Sequence, residues 1–438
     1  MKTLSESNIY KISAIISYII GYIYIKYVVV IDVFGAYEHS FWMIAFSILF
    51  ILWTEGFAYL LGNTYEKLKE TGKSVIEPII LIVCILLQAV AISVWKLHED
   101  WQLYQVFIWH GTIIYYVISR MGILAAGRSG MFFPIDCFSG AVIVPLSNFI
   151  LRAKKILAKE NKTAEETPSK KRFEKKDIGI IITSVFVALI VCSIAISQLV
   201  SVSSTFAGLG EGFDRVITGI LSADSIEYFF SHIFIYVILS IPFGCWLFAL
   251  VAGSMQKELQ VPTDKQLEEE TKSFHSLPSY SAYIIIGSVC ALYAIFFVSA
   301  FVDILNGNFA LTAQEACSDA VGSFWQLIKV VVLNMAVMFA SCFFSKKALW
   351  TEKGTRILST VLFVFALAFA LLAAWNLVGV YIAVYGITPR RILSSWVVIN
   401  IITWCVLILV RLYKKIPAAQ IGIMFAAVSF SLVVCGNF

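Results

Sequence analysis

Runs of about 17–25 apolar residues, each long enough to cross about 30 Å of hydrocarbon at 1.5 Å per helical residue, recur along the whole length of this chain. Eleven are counted, approximately Ile12 to Val33, Phe41 to Leu61, Pro78 to Val94, Tyr104 to Leu124, Ile178 to Val200, Ile226 to Gly253, Ser281 to Leu305, Phe324 to Phe344, Leu358 to Val384, Ile392 to Val410 and Ala418 to Val434. Hydrocarbon offers no partners to backbone N–H and C=O groups, so a crossing segment must bond within itself as a helix or close into a barrel. Barrel strands alternate in polarity over about ten residues, and these runs do not. The expected fold is all-α, a polytopic transmembrane helix bundle of about eleven spans.

Composition agrees with that class. The chain is 60% hydrophobic and 14% charged, whereas soluble domains carry about a quarter charged residues. One water-soluble core does not absorb so much apolar surface. The first run follows Met1 to Lys11 with no small-residue cleavage site behind a short apolar core, and reads as an uncleaved anchor.

Lysine and arginine placement sets the expected orientation. With the N-terminus inside, the inner segments hold 26 of the 33 basic residues. The outer segments hold four, Lys96, Arg215, Arg390 and Arg391, and Lys26, Arg120 and Lys329 fall inside spans. The N-terminus is therefore expected inside and, with an odd span number, the C-terminus outside. The net charge of +5 follows from this topology. No basic face is combined with an aromatic platform in a soluble domain, so no nucleic acid partner is expected.

The chain divides into a four-span front part (1–130), a re-entrant or in-plane segment (131–151), a basic cytoplasmic linker (152–177) and a seven-span back part (178–438). The linker, Arg152 to Asp177, carries ten basic and five acidic residues. It suits contact with anionic inner-leaflet lipid or with a cytoplasmic protein partner. Met131 to Leu151 is apolar but broken by Pro134, Gly140 and Pro145, and exporting the linker behind it would violate the charge rule. Two half-apolar outer connections, Phe206 to Ser222 and Phe309 to Ser323, are expected to form short helices on the outer surface.

The stretch Val380 to Trp396, VYIAVYGITPRRILSSW, interrupts an apolar region with a turn and two arginines. Gly386 can adopt the left-handed conformation that ends a helix, Thr388 can cap the next one, and Pro389 suits its first position. Arg390 and Arg391 then occupy the first turn of the tenth span, where the helix dipole disfavours cations by about 0.3–1 kcal/mol each. Acids at the same rim (Asp303, Glu227 or Asp32) or lipid phosphates would answer them. The alternative is that they hold an anionic ligand at the helix start.

Helical rise places Lys26, His110, His232, Lys329 and Asn376 about 8–11 Å below the outer surface. Glu55 and Arg120 fall deeper, at about 21 and 24 Å. A central Lys or Arg costs about 2.5–3.5 kcal/mol to insert, so such groups face protein or water rather than lipid. Glu55 and Arg120 are expected to form an ion pair joining the second and fourth spans, with a proton or ion relay as the alternative. The outer set, with Arg390 and Arg391, has no matching acid at its depth. It suggests an outward cavity for an anion or a phosphorylated amphiphile, while each histidine taken singly reads as an ordinary bundle residue.

No H-E-x-x-H, G-x-S-x-G or P-loop occurs, and Gly208 to Gly212 lacks the strand and helix of a dinucleotide site. His98-Glu99-Asp100 has one histidine, too little for a metal centre. The nine cysteines, mostly within spans, form no C-x-x-C and read as small buried apolar residues. No catalytic residue, metal or cofactor is expected.

Three stretches carry a family resemblance: Phe132 to Phe149 (FFPIDCFSGAVIVPLSNF), Gly322 to Asn334 (GSFWQLIKVVVLN) and Val380 to Trp396. In order and spacing they resemble bacterial polytopic membrane proteins known as domain of unknown function 4173 and the related 4153 type, from the fourth span to the tenth. Tyr385 to Thr388 is the most specific part. Ala320-Val321 and Asn376-Leu377 stand where that pattern has Tyr-Ala-Arg and an arginine, which marks a divergent member. The resemblance implies a multi-pass bacterial cytoplasmic (inner) membrane protein and carries no activity.

The leading reading is a non-enzymatic permease or lipid-handling protein whose outward cationic cavity takes an anionic small molecule or lipid headgroup. An envelope sensor or scaffold acting through cytoplasmic partners is the second. An intramembrane transferase on a lipid-linked substrate is the third, and it would need Glu55 or Asp136 as its base.

Overall fold

A computed structural model describes residues 5–33, 41–97, 101–130, 132–157, 234–256, 279–305, 313–345 and 349–436. Among these the regular elements are helices. Helix α1 (Glu6–Ile23) starts at Ser5, whose hydroxyl accepts the Asn8 N–H at 3.4 Å, and runs on as a π-helical stretch, Tyr24–Val33. Next come α2 (Trp42–Leu60), a short α3 (Tyr65–Glu70), α4 (Ile76–Trp95) and α5 (Gln102–Met121). Then α6 (Phe133–Phe138), a π-helical turn Ser139–Ile143 and α7 (Val144–Ser147) occupy the Pro- and Gly-broken segment, and α8 (Leu151–Leu157) follows. After them stand α9 (Ile235–Gly253), α10 (Ser279–Leu305), α11 (Ala313–Phe344) and α12 (Lys353–Ala374). The π-helical stretch Trp375–Ile382, α13 (Ala383–Tyr385), α14 (Pro389–Tyr413) and α15 (Ala418–Cys435) complete the order.

Eight helical stretches among the described residues are long and apolar enough to cross a membrane, which fits a membrane-embedded chain. Two further expected spans are helical but less uniformly apolar. The 20 residues of α5 include Gln102, Gln105, His110 and Arg120, and within α10 the apolar stretch is Tyr283–Phe296. The expected span Ile178 to Val200 lies outside the described residues. Large apolar side chains such as Ile15, Leu52 and Ile284 point away from the protein at about 60% exposure, as hydrocarbon rather than water requires.

Two local expectations are corrected or extended. From Ala313 onward the Phe309–Ser323 connection is the beginning of α11, which runs 32 residues without a break, so it is no separate surface helix. Its apolar-polar mixture continues the 3.6-residue period of the span. The other connection, Phe206 to Ser222, lies outside the described residues. The linker's first residues form α8, and Arg152 reaches back so that its Nε donates to the Ala14 carbonyl at 2.9 Å and its guanidinium lies 5.3 Å from the Tyr18 ring.

The broken segment Phe133–Ser147 is about 15 × 1.5 Å long, shorter than a bilayer core. It rests on α5 at Gly140, where an added Cβ would sit 2.9 Å from Ile118 and 3.0 Å from Ile114.

Two apolar cores form. The first gathers α1, α2, α4, α5, α9 and α15 around Phe46, Phe50, Trp109, Tyr116, Phe248 and Phe430. The second gathers α10, α11, α12 and α14 around Ile286, Val331, Phe363, Ala370 and Cys405. The last helix joins them: Gln88 on α4 donates to Ser431 at 3.0 Å, and Trp396 on α14 donates to Ser429 at 2.9 Å. In the first core α1 and α9 cross through Ser17-x-x-x-Gly21 and Ser240-x-x-x-Gly244. A Cβ on Gly21 would lie 3.1 Å from the Gly244 Cα, the close approach that small residues permit in lipid.

Gln420 at the start of α15 donates to Ser74 before α4 at 3.1 Å. The starts of α4, α12 and α15 and the ends of α2, α5 and α14 thus share one end of the bundle, and the Gly386 hairpin lies at the other.

Candidate functional site

At the hairpin end, α13 stops at Gly386, whose φ of 76° and ψ of −177° is a conformation open essentially to glycine. Thr388 takes the extended N-cap position and its carbonyl accepts the Ile392 N–H at 3.0 Å, with Pro389 in the first turn of α14. The expected side-chain cap bond is absent, and Thr388 is among the residues lining a neighbouring pocket.

That pocket has a volume of about 260 Å³. Asn376, Arg390 and Arg391 line it with Thr388 and Ser394, and Phe324, Trp325, Leu377 and Tyr381 supply apolar and aromatic wall. Among the described residues its lining contains two arginines and no carboxylate. Asn376 and Tyr381 come from the π-helical stretch, a helix irregularity that re-aims side chains and often marks functional positions.

The guanidinium of Arg391 donates to the carbonyls of Tyr385 at 2.8 Å and Gly386 at 2.5 Å and lies 4.6 Å from the Tyr381 ring. It sits at the positive end of α14 but satisfies carbonyls at the negative end of the preceding helix, and the two dipole terms oppose each other. Arg390 is exposed and has contacts of its own.

At the opposite end Glu55 on α2 collects three side-chain donors. Arg120 Nε bonds Oε2 at 2.8 Å, while the Tyr65 and Tyr116 hydroxyls bond Oε1 at 2.9 and 2.8 Å. Arg120 also donates to the Asn63 carbonyl at 2.9 Å and lies 4.3 Å from the Tyr65 ring. Two spans and the short α3 are thereby tied together.

Nearby, Glu77 is fully buried at the start of α4 and accepts the Ser129 N–H at 3.0 Å and the Ser129 hydroxyl at 2.7 Å. Tyr115 shares a 2.7 Å bond with the same hydroxyl. Asp136 Oδ1 accepts the Ala125 N–H at 2.9 Å, whereas the buried Oδ2 has no partner. Burial pushes the Asp136 carboxyl up to about 6, with Glu77 adding in the same direction. Lys73 folds across Gly122 and Gly127, both at positive φ, and burial lowers its ammonium.

The family model described as Domain of unknown function (DUF4153) matches residues 81–436. The chain belongs to this family. Of the two related types that the sequence resembles, the 4153 type is the one that matches. The match takes in α5, the broken segment, the second core and the hairpin pocket, and leaves Glu55 outside. No curated protein and no solved structure matches the chain.

Within this member of the DUF4153 family the seven ligand candidates do not form one set. Asn376, Arg390 and Arg391 share the pocket. Lys329 is exposed on α11, one turn beyond Trp325. Lys26 lies 5.1 Å from the Tyr27 ring and 5.6 Å from the Tyr22 ring in the first core's π-helical stretch. His110 accepts or donates at Tyr24 through Nε2 and bonds the Val106 carbonyl through Nδ1 at 2.6 Å. His232 and Glu227 lie outside the described residues, as do the side chains of Asp32 and Asp303.

Trp325, Tyr381 and Ser394 were not singled out from sequence; Ser394 follows Arg390 by one helical turn and was open to that reading. Tyr116 likewise precedes Arg120 by one turn. Nothing local signals Tyr65, which sits beyond the end of a span.

Proposed function

We propose that this DUF4153 protein is a non-enzymatic permease or lipid-handling protein of a bacterial cytoplasmic membrane, binding an anionic group in the hairpin pocket. The N-terminus and the 152–177 linker face the cytoplasm in this reading, the hairpin faces outward, and the spans number eleven. One observation carries it: Asn376, Arg390 and Arg391 converge with aromatic wall on one pocket whose lining, among the described residues, contains no acid. Guanidiniums and a side-chain amide suit a phosphoryl or carboxyl group, and the start of α14 adds the positive end of its dipole. The volume suits a headgroup or small anion better than a drug-sized ligand, for which about 300–1,000 Å³ is usual. The aromatic wall favours an amphiphile's glycerol or acyl region. Glu55 is a poor candidate base, since its oxygens are taken by an arginine and two phenols.

The test is binding of phosphorylated amphiphiles to purified protein in neutral-lipid nanodiscs. Arg390→Ala and Asn376→Ala should each weaken binding, and Lys329→Ala, outside the pocket, should not. Unchanged affinity in both pocket variants at unchanged stability removes the proposal.

A further inference from the structure

At the end of the bundle opposite the hairpin, α12 begins where α14 ends. Arg356, in the first turns of α12, stacks on the Tyr413 ring of α14 at 5.4 Å. Arg411, in the last turn of α14, stacks on the Trp350 ring before α12 at 5.0 Å. Leu412, fully packed between them in sequence, points into the second core, so Arg411 and Tyr413 flank the helix contact on its two sides. Thr360 completes the Arg356 flank, bonding the Tyr413 hydroxyl at 2.9 Å.

Neither guanidinium meets a carboxylate among the described residues, where the ion pair found is Arg120 with Glu55. Arg356 Nε is moreover buried with no hydrogen-bond partner. An unmade bond to a charged, desolvated donor is costly, and native proteins seldom leave one. Arg356 also stands at a helix start, where the dipole repels it. Stacking on a ring answers the charge in part and leaves the Nε–H without an acceptor among the described residues.

We infer that Arg356, with Tyr413 and Thr360, forms a second binding site, for the phosphate of an anionic phospholipid at the membrane surface, with Arg411 and Trp350 serving the same leaflet on the other flank. Exposed apolar side chains run away from it along both helices, Ile357 and Val361 on α12 and Val410 on α14, and give acyl chains a surface to follow. Lys353, Lys414 and Lys415 at the same end add attraction for anionic over zwitterionic headgroups. The site is separate from the hairpin pocket in position and in residues, so either can fail alone.

The experiment is native mass spectrometry of the full chain released from nanodiscs containing phosphatidylglycerol or phosphatidylcholine, with thermal unfolding on the same samples. Wild type should retain phosphatidylglycerol and unfold at higher temperature with it than with phosphatidylcholine. R356Q should retain it about fivefold less well, the loss of one surface cation. Lys329→Ala, which lies outside both sites, should behave as wild type here. Inorganic phosphate added to detergent-purified protein should stabilise wild type and R356Q equally; a larger gain in wild type would mean that this site takes a soluble anion, and would overturn the lipid assignment. Should R356Q fail to reconstitute, R356K keeps the charge but lacks the planar fork, and it too should lose retention. Equal retention in wild type and the variant that folds also overturns the inference.

Discussion

Arg120 and Glu55 meet at 2.8 Å across 65 residues of sequence, with 2% of the arginine side chain exposed. Removing one partner of a buried pair leaves an uncompensated charge, at a cost of about 3–5 kcal/mol, whereas replacing both by apolar residues is often neutral. Glu55→Gln should therefore lower unfolding stability in detergent by a substantial part of that figure. The double variant E55L/R120M should recover much of it. Glu55→Gln unfolding within about 0.5 kcal/mol of wild type would show that the two phenols and the Asn63 carbonyl hold Arg120 unaided.

The neighbouring arginines of the hairpin have unequal roles. Arg391 donates to the Tyr385 and Gly386 carbonyls, while Arg390 lines the pocket from an exposed position. Arg391→Ala should cost about 1–3 kcal/mol through two charge-assisted bonds, and Arg390→Ala should stay within about 0.5 kcal/mol while reducing ligand binding. Parallel melting curves and binding isotherms separate the two effects. A reversed order of stabilities would refute the assignment.

Gly386 tests the turn itself. No atom lies within 4 Å of where its Cβ would stand, so Gly386→Ala meets no clash and reports backbone strain alone at φ 76° and ψ −177°. The expected loss is about 1–3 kcal/mol. Hydrogen exchange of the Ala383 to Ile392 amides should rise with it. An alanine variant as stable as wild type would mean that the turn adopts another conformation.

The reach of the sequence is set by what rise per residue can and cannot encode. Span lengths follow from hydropathy alone, because lipid forces each crossing segment to bond within itself. Depth is similarly legible: Glu55 and Arg120 are level by rise, and they stand in contact. Azimuth is not legible. Lys26, His110, Lys329 and Asn376 are also level by rise, yet the first two belong to the first core and the last two to the second. Tertiary choices decided that, above all α15 inserting between α4 and α14 through Ser431 and Ser429. Polar composition hid other features: Arg152 reads as linker but bonds α1 at Ala14, and Thr388 reads as a side-chain cap but makes no side-chain cap bond.

Asp136 makes stability depend on pH in a direction opposite to most carboxylates. Its carboxyl is raised from an ordinary 3.8 to about 6 by burial, with Glu77 on α4 opposing ionisation further; Tyr115 on α5 and Cys137 on its own helix are the other titratable neighbours. A group raised in the folded state binds its proton more tightly there than in the unfolded chain. Its favourable contribution is complete below about 3.8 and is lost as pH rises to about 6. Above that pH the folded protein holds an ionised, half-satisfied carboxylate beside the Ala125 amide. Wild type should therefore melt at lower temperature at pH 7.5 than at pH 5. Asp136→Asn keeps an oxygen for the Ala125 N–H and carries no charge, so its melting temperature should fall less over the same interval. Alkylation of Cys137, the next residue on the same helix, is read against the variant at each pH, which cancels the thiol's own titration. Identical pH dependence in wild type and Asp136→Asn, by melting and by alkylation, would place the titrating group elsewhere.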